Sequence, residues 1–197
     1  MKKIFPVTTI LAVTLLSFVN CADAGQWRFP LGLTYVSGIG EVVDQIEDNL
    51  NADGYETEKT ETFPVGASFQ PYYEFDSGLG IGVGLGPLMV VFGDVDFVDM
   101  PVNVCLRYAL FPEAKMSPYI RAGAAYHLAN GDYVEGSQPG YVGAIGLEFM
   151  RDKPVGFGIE AGYDSSTIEL EDLDSSSADD TKEFTPVGFM VSIFAVF

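Results

Sequence analysis

The chain has 197 residues, with 10 Lys and Arg, 28 Asp and Glu and one His, for a formal net charge of −18. Such an acidic chain repels phosphates, which excludes nucleic-acid binding through basic patches. The length suits one domain. Beyond the N-terminal segment no apolar run is long enough for a transmembrane helix, so the rest of the chain enters a membrane only as a closed barrel.

Lys2 and Lys3 precede an apolar stretch from Ile4 to Val19 that only Pro6 and a few hydroxyl residues interrupt. Ala22-Asp23-Ala24 supplies small residues for cleavage before Gly25, so 1–24 reads as a secretory signal and 25–197 as the mature domain. A retained anchor is the alternative, but roughly 16 apolar residues fall short of the about 20 that span a bilayer. Val19-Asn20 before Cys21 is a poor lipoprotein signal, and loss of Cys21 leaves Cys105 alone, with no intramolecular disulfide.

Eight alternating segments follow. Gln26 to Gly38 places Trp27, Phe29, Leu31, Leu33 and Tyr35 on one face. The connection from Ile39 to Glu61 is acidic, and inside it Val42, Val43, Ile46 and Leu50 fall at helical spacing. Glu41 to Leu50 therefore reads either as a short amphipathic helix at the rim or as a solvated loop. Thr62 to Phe75 alternates, turns at Asp76-Ser77-Gly78, and leads into Leu79 to Phe92, where Leu79, Ile81, Val83 and Leu85 alternate with glycines. After an acidic connection come Met100 to Phe111, a short turn from Pro112 to Ser117, and Pro118 to Ala129. A further connection carries Asp132 and Glu135. Gly140 to Met150, the turn Arg151-Asp152-Lys153-Pro154 and Val155 to Asp164 follow. The last connection, Asp164 to Glu183, is acidic, and its Ser175-Ser176-Ser177 has linker composition. Val187 to Phe197 is the eighth segment.

One face of these segments is bulky and apolar, with aromatic residues near strand ends. The other is mostly Gly, Ala and Ser, interrupted by Gln70, Glu74, Arg107, Arg121, Glu148 and Glu160. A soluble ligand-binding barrel has the opposite arrangement, with bulky apolar residues inside. Here the small and charged face belongs inside, where a narrow barrel leaves room for a few long chains that pair with one another. Glu74, Arg107, Arg121, Glu148 and Glu160 then either close an ion-pair network that plugs the interior or line a narrow polar conduit. Plugging is favoured because side chains suffice to fill eight strands. His127 shares the inward parity with Ser68 and Ser192. With no acid–histidine pair adjacent in sequence and no histidine-serine-asparagine deacylase motif, it reads as a satisfied interior group, and no catalytic residue is assigned.

The chain closes on Phe197, after Phe189, Val191 and Ile193 at alternate positions. This ending resembles the terminal signature of bacterial outer-membrane β-barrels, which their assembly machinery reads. Ser117-Pro118-Tyr119-Ile120-Arg121-Ala122-Gly123-Ala124-Ala125-Tyr126 and Gly156-Phe157-Gly158-Ile159-Glu160-Ala161-Gly162-Tyr163 are similar to strands of the superfamily that includes the transmembrane domain of outer membrane protein A. The resemblance implies an all-β fold, an eight-stranded antiparallel up-and-down transmembrane barrel with short periplasmic turns and longer acidic extracellular loops. It implies an outer-membrane location, a monomer, and outer-membrane lipids, lipopolysaccharide and the barrel-assembly machinery as partners. No peptidoglycan-binding domain follows the barrel, so a cell-wall tether is not expected.

The acidic loops are expected either to hold Ca²⁺ or Mg²⁺ weakly, with Asp94, Asp96 and Asp99 or Asp172 and Asp174 as ligands, or to form a solvated, self-repelling surface. Neither cluster has complete calcium-loop spacing or its fixed glycine, and no other cofactor is expected. The expected function is non-enzymatic, structural or surface-interacting. The alternative is a narrow porin-like channel, and a more distant one is an outer-membrane lipid-modifying hydrolase.

Overall fold

The structure is a computed structural model that describes residues 25–55, 60–91, 95–173 and 181–197. The expected signal segment, Asp94, Asp174 and the Ser175–Ser177 linker lie outside the described residues. In chain order the elements are β1 (Gly25–Arg28), β2 (Pro30–Val36), α1 (Ile39–Ala52), β3 (Val65–Phe69), β4 (Tyr72–Phe75), β5 (Leu79–Val91), β6 (Phe97–Ala109), β7 (Met116–Gly131), β8 (Val134–Gln138), β9 (Gly140–Phe149), β10 (Gly156–Asp164), β11 (Thr167–Glu171), β12 (Thr181–Phe184) and β13 (Gly188–Val196).

Ten of the strands make one closed antiparallel sheet of eight wall strands. β1 with β2, and β3 with β4, each form one wall strand, interrupted near Pro30 and Pro71, where proline has no amide proton for the ladder. The last strand closes on the first: β13 pairs with β2 from Met190↔Val36 to Val196↔Pro30. The seam is extended by Phe29 N–H donating to the Phe197 carbonyl at 3.0 Å.

The outer wall is apolar. Leu31, Ile120, Phe157 and Ile193 are each at least half exposed, and Ile145 is 67% exposed. An apolar surface that encircles a molecule is stable only against lipid, so this wall is a membrane-facing one. Trp27, Phe29, Tyr73 and Phe75 form a ring-contact cluster near the short-turn end, as in an aromatic girdle.

Inside, the glycines make room for neighbouring large side chains. A Cβ on Gly146 would lie 2.3 Å from the Tyr119 ring, and one on Gly82 would lie 2.5 Å from the Tyr72 Cβ.

The interior differs from the expected small-and-charged lining at the long-loop end, which is an apolar core. Val36, Met89, Val91, Phe97, Val142 and Met190 project inward from the wall, and α1 lays Val42, Val43 and Ile46 onto them. Met89 and Val91 reach the inside because β5 shifts register between Leu85 and Met89, around Gly86 (φ +91°) and Pro87. The one extra residue reverses the alternation, so Leu88 and Val90 point outward above the irregularity, whereas Leu79 to Leu85 do so at odd positions.

Between helix and solvated loop, the helix is the outcome for this segment. Its apolar stripe finds that core, and Glu41 in its first turn complements the helix dipole. The last connection is not a plain loop. β12, β11 and β8 pair into a three-stranded sheet over the mouth, with Ile168 and Leu170 buried beneath it. Val187, the first residue of the expected eighth segment, is buried in the same core and precedes the strand proper.

Candidate functional site

Toward the short-turn end the interior turns polar. Arg107 on β6 lies between Glu74 on β4 and Glu148 on β9, at 2.9 and 2.8 Å. Arg151, in the β9–β10 turn, forms ion pairs with the same two glutamates. Two cations and two carboxylates thus alternate in a closed four-membered ring: Glu74, Arg107, Glu148, Arg151. Tyr72 donates to Glu148 at 2.8 Å, and Arg151 Nε donates to the Pro112 carbonyl at 3.3 Å.

The Arg107 guanidinium is sandwiched between two rings, 3.7 Å from the Tyr119 centroid and 4.6 Å from that of Tyr72. Tyr119 carries the network onward by donating to Glu160 at 2.8 Å. Glu160 also receives Arg121 through Nη2 at 2.5 Å and Nε at 3.1 Å, a two-bond fork. All six charged groups are more than nine-tenths buried. Pairing and multiple hydrogen bonds offset the large cost of removing such charges from water.

All five charged residues expected to face inward, Glu74, Arg107, Arg121, Glu148 and Glu160, lie in this one cluster, and Gln70 is half-buried beside it. The space left among Gln70, Tyr72, Arg107, Tyr119, Arg121 and Glu160 is about 20 Å³. That volume holds about one water.

Sequence reasoning missed Arg151, Tyr72 and Tyr119. Arg151 sits beyond the strand, where period-two parity no longer assigns a face. Met150 adopts φ +57° and redirects the chain at that point. The available signal was its spacing three residues after Glu148. Both tyrosines have inward parity, but the inward face reads as small and charged, and its pattern gives an aromatic ring there no role.

His127 lies in the upper interior, not at the ring. Its Nδ1 is 2.6 Å from Asp99 Oδ2, and both side chains are fully buried. This corrects the reading of Asp99 as an acidic-loop ligand. β6 begins at Phe97, three residues before the expected start, and carries Asp99 to the inside. Asp96 stays outside the strand, its N–H donating to Asp132 at 3.3 Å. Among the described residues no three His, Cys, Asp or Glu side chains are grouped to hold a metal ion. Ser68 and Ser192 are not at His127 either; their hydroxyls meet Thr34 Oγ1 at 3.0 and 2.8 Å. His127 Nε2 has no hydrogen-bond partner among the described residues.

The mouth is held by polar contacts between α1 and its surroundings. Asn49 Nδ2 donates to the Glu171 carbonyl at 2.6 Å, and Tyr133 donates to Asp53 at 2.6 Å. Desolvation, then that hydrogen bond to Asp53, raise the Tyr133 phenol above its ordinary pKa. Glu41, Asp44 and Asp48 face outward from the helix. On the wall, Phe189, Val191, Ile193 and Phe197 of the final segment all point outward.

No protein-family model matches the chain, and no curated protein matches it. Solved structures do. The outer membrane protein OprG from Pseudomonas aeruginosa is 13% identical with a TM-score of 0.56, covering 88% of this chain and 95% of its own. The E. coli outer membrane protein W is 11% identical with a TM-score of 0.50, covering 89% and 98%. The chain has the fold of the eight-stranded outer-membrane β-barrels. In that fold the short turns face the periplasm and the long loops the exterior.

Proposed function

We propose that this protein is a closed, non-enzymatic barrel of the bacterial outer membrane, plugged at two levels, that serves as a structural or surface-interacting element. The observation that carries this reading is the Glu74–Arg107–Glu148–Arg151 ring, with a space of only about 20 Å³ on its inner side, among Gln70, Tyr72, Arg107, Tyr119, Arg121 and Glu160. A hydrated ion does not pass a space of one water without breaking ion pairs that cost several kcal/mol each to separate inside a low-dielectric core. The second level is the apolar core beneath α1, where the buried Val36, Val42, Ile46, Phe97 and Met190 disfavour water.

The outer face then carries the interaction role. α1 and the β12–β11–β8 sheet present Glu41, Asp44, Asp48, Glu135 and Glu183 to the exterior on folded backbone. Such a surface favours cationic partners and disfavours polyanions.

Osmotic swelling of proteoliposomes tests the plug. Vesicles carrying the wild-type protein are expected to swell no faster than empty ones in small sugars or amino acids. Swelling that follows solute size would overturn the plugged reading in favour of a narrow channel.

A further inference from the structure

The interior of the periplasmic half does not balance its charge. Four arginines, Arg28, Arg107, Arg121 and Arg151, face three glutamates, Glu74, Glu148 and Glu160, and all seven are at least nine-tenths buried. Each glutamate is already taken: Glu74 and Glu148 by Arg107 and Arg151, Glu160 by Arg121 and Tyr119. Arg28 is the surplus cation. It makes no ion pair among the described residues, and its buried Nε has no hydrogen-bond partner there. In a chain of net charge −18, an unpaired buried cation is the unexpected arrangement.

Arg28 lines a cavity of about 360 Å³ at the periplasmic mouth, with Gln26, Glu74, Pro112 and Arg151 among its other walls. The volume lies within the range of small-molecule sites. Asp76, Glu113 and Asp152 stand at its edge and are exposed to solvent. Asp152 is partly neutralised by Lys115 and Lys153, at 3.6 and 3.7 Å.

We propose that this vestibule binds a small organic anion carrying a single carboxylate, with Arg28 as its recognition residue. A guanidinium offers two parallel donors that match a carboxylate, and the Gln26 amide beside it adds a further donor. The edge carboxylates select against ligands of higher negative charge. The blind inner wall of the vestibule, formed by the Glu74 and Arg151 pair, makes it a binding site and not an entrance. This inference does not depend on the barrel's being non-conducting.

The test is a titration of sodium butyrate into the ¹⁵N-labelled protein in lipid nanodiscs at fixed ionic strength. The readout is the Nε–H resonance of Arg28, assigned by its loss in Arg28→Gln. A saturable shift that sodium chloride does not reproduce is expected. In Arg28→Gln the backbone resonances of Gly25 to Arg28 should no longer respond, in Arg28→Lys binding should weaken several-fold, and in Glu113→Gln it should hold or tighten. If Arg28→Gln fails to give the heat-modifiable folded band, Arg28→Lys carries the comparison. A linear response equal to that of chloride, or butyrate binding unchanged in Arg28→Lys, would overturn the site. Inorganic phosphate at alkaline pH should bind more weakly than butyrate; tighter binding would overturn the single-carboxylate assignment.

Discussion

At the scale of single residues, stability depends on which charge loses its partner. Arg107→Ala leaves two buried glutamates with Arg151 alone, and a destabilisation of about 3–5 kcal/mol is expected in urea unfolding followed by Trp27 fluorescence. His127→Ala should cost a similar amount, because Asp99 is left fully buried without its partner. Replacing His127 and Asp99 together by leucine should recover most of that loss, since the cost lies in the orphaned charge. If the double variant is no more stable than His127→Ala, the pair is not the isolated unit described above. Gly146→Ala should displace Tyr119 from Glu160 at a cost of about 1–3 kcal/mol, read in the same unfolding assay. Inward parity brought Glu74, Arg107, Arg121, Glu148 and Glu160 into view from sequence, because strand periodicity assigns faces without any knowledge of height. Arg151 and Asp99 were missed for the complementary reason. Both lie where a strand ends or begins, and there a boundary error of a few residues moves a side chain from solvent to the interior.

Among the elements, the wall and the cap were unequally legible. Wall strands alternate over nine or more residues against two strong contrasts, lipid outside and packed interior inside, so their existence follows from pattern alone. The cap has no such frame. α1 carries a clear apolar stripe, but a stripe of four residues specifies a helix only if a core awaits it, and that core is built from Met89, Phe97, Val142 and Met190 on distant strands. Thr167 to Glu171 hides its Ile168 and Leu170 among acids, so composition suggested a loop where alternation specified a strand. The cap is accordingly expected to be separable from the wall. Ile46→Asp places a charge in the apolar core, and hydrogen exchange should then accelerate throughout α1 while β6, β7 and β10 keep their protection. Equal loss of protection in wall and helix would show that the two are a single cooperative unit.

The whole molecule combines an apolar belt, a charged ring within it and a folded acidic cap above it. The belt sets its place in a membrane, and the seam of β13 on β2 removes the last free edge, which lipid does not tolerate. Closure of this kind should give slower or faster gel migration before boiling than after it, and unchanged mobility would count against a closed barrel. The central claim is that the interior is shut by the ring of Glu74, Arg107, Glu148 and Arg151. Single-channel recording in planar bilayers tests it most directly, comparing the wild type with the Arg107→Ala, Arg121→Ala double variant. The wild type is expected to show no stable conductance and the double variant brief openings; steady conductance in the wild type would contradict the account.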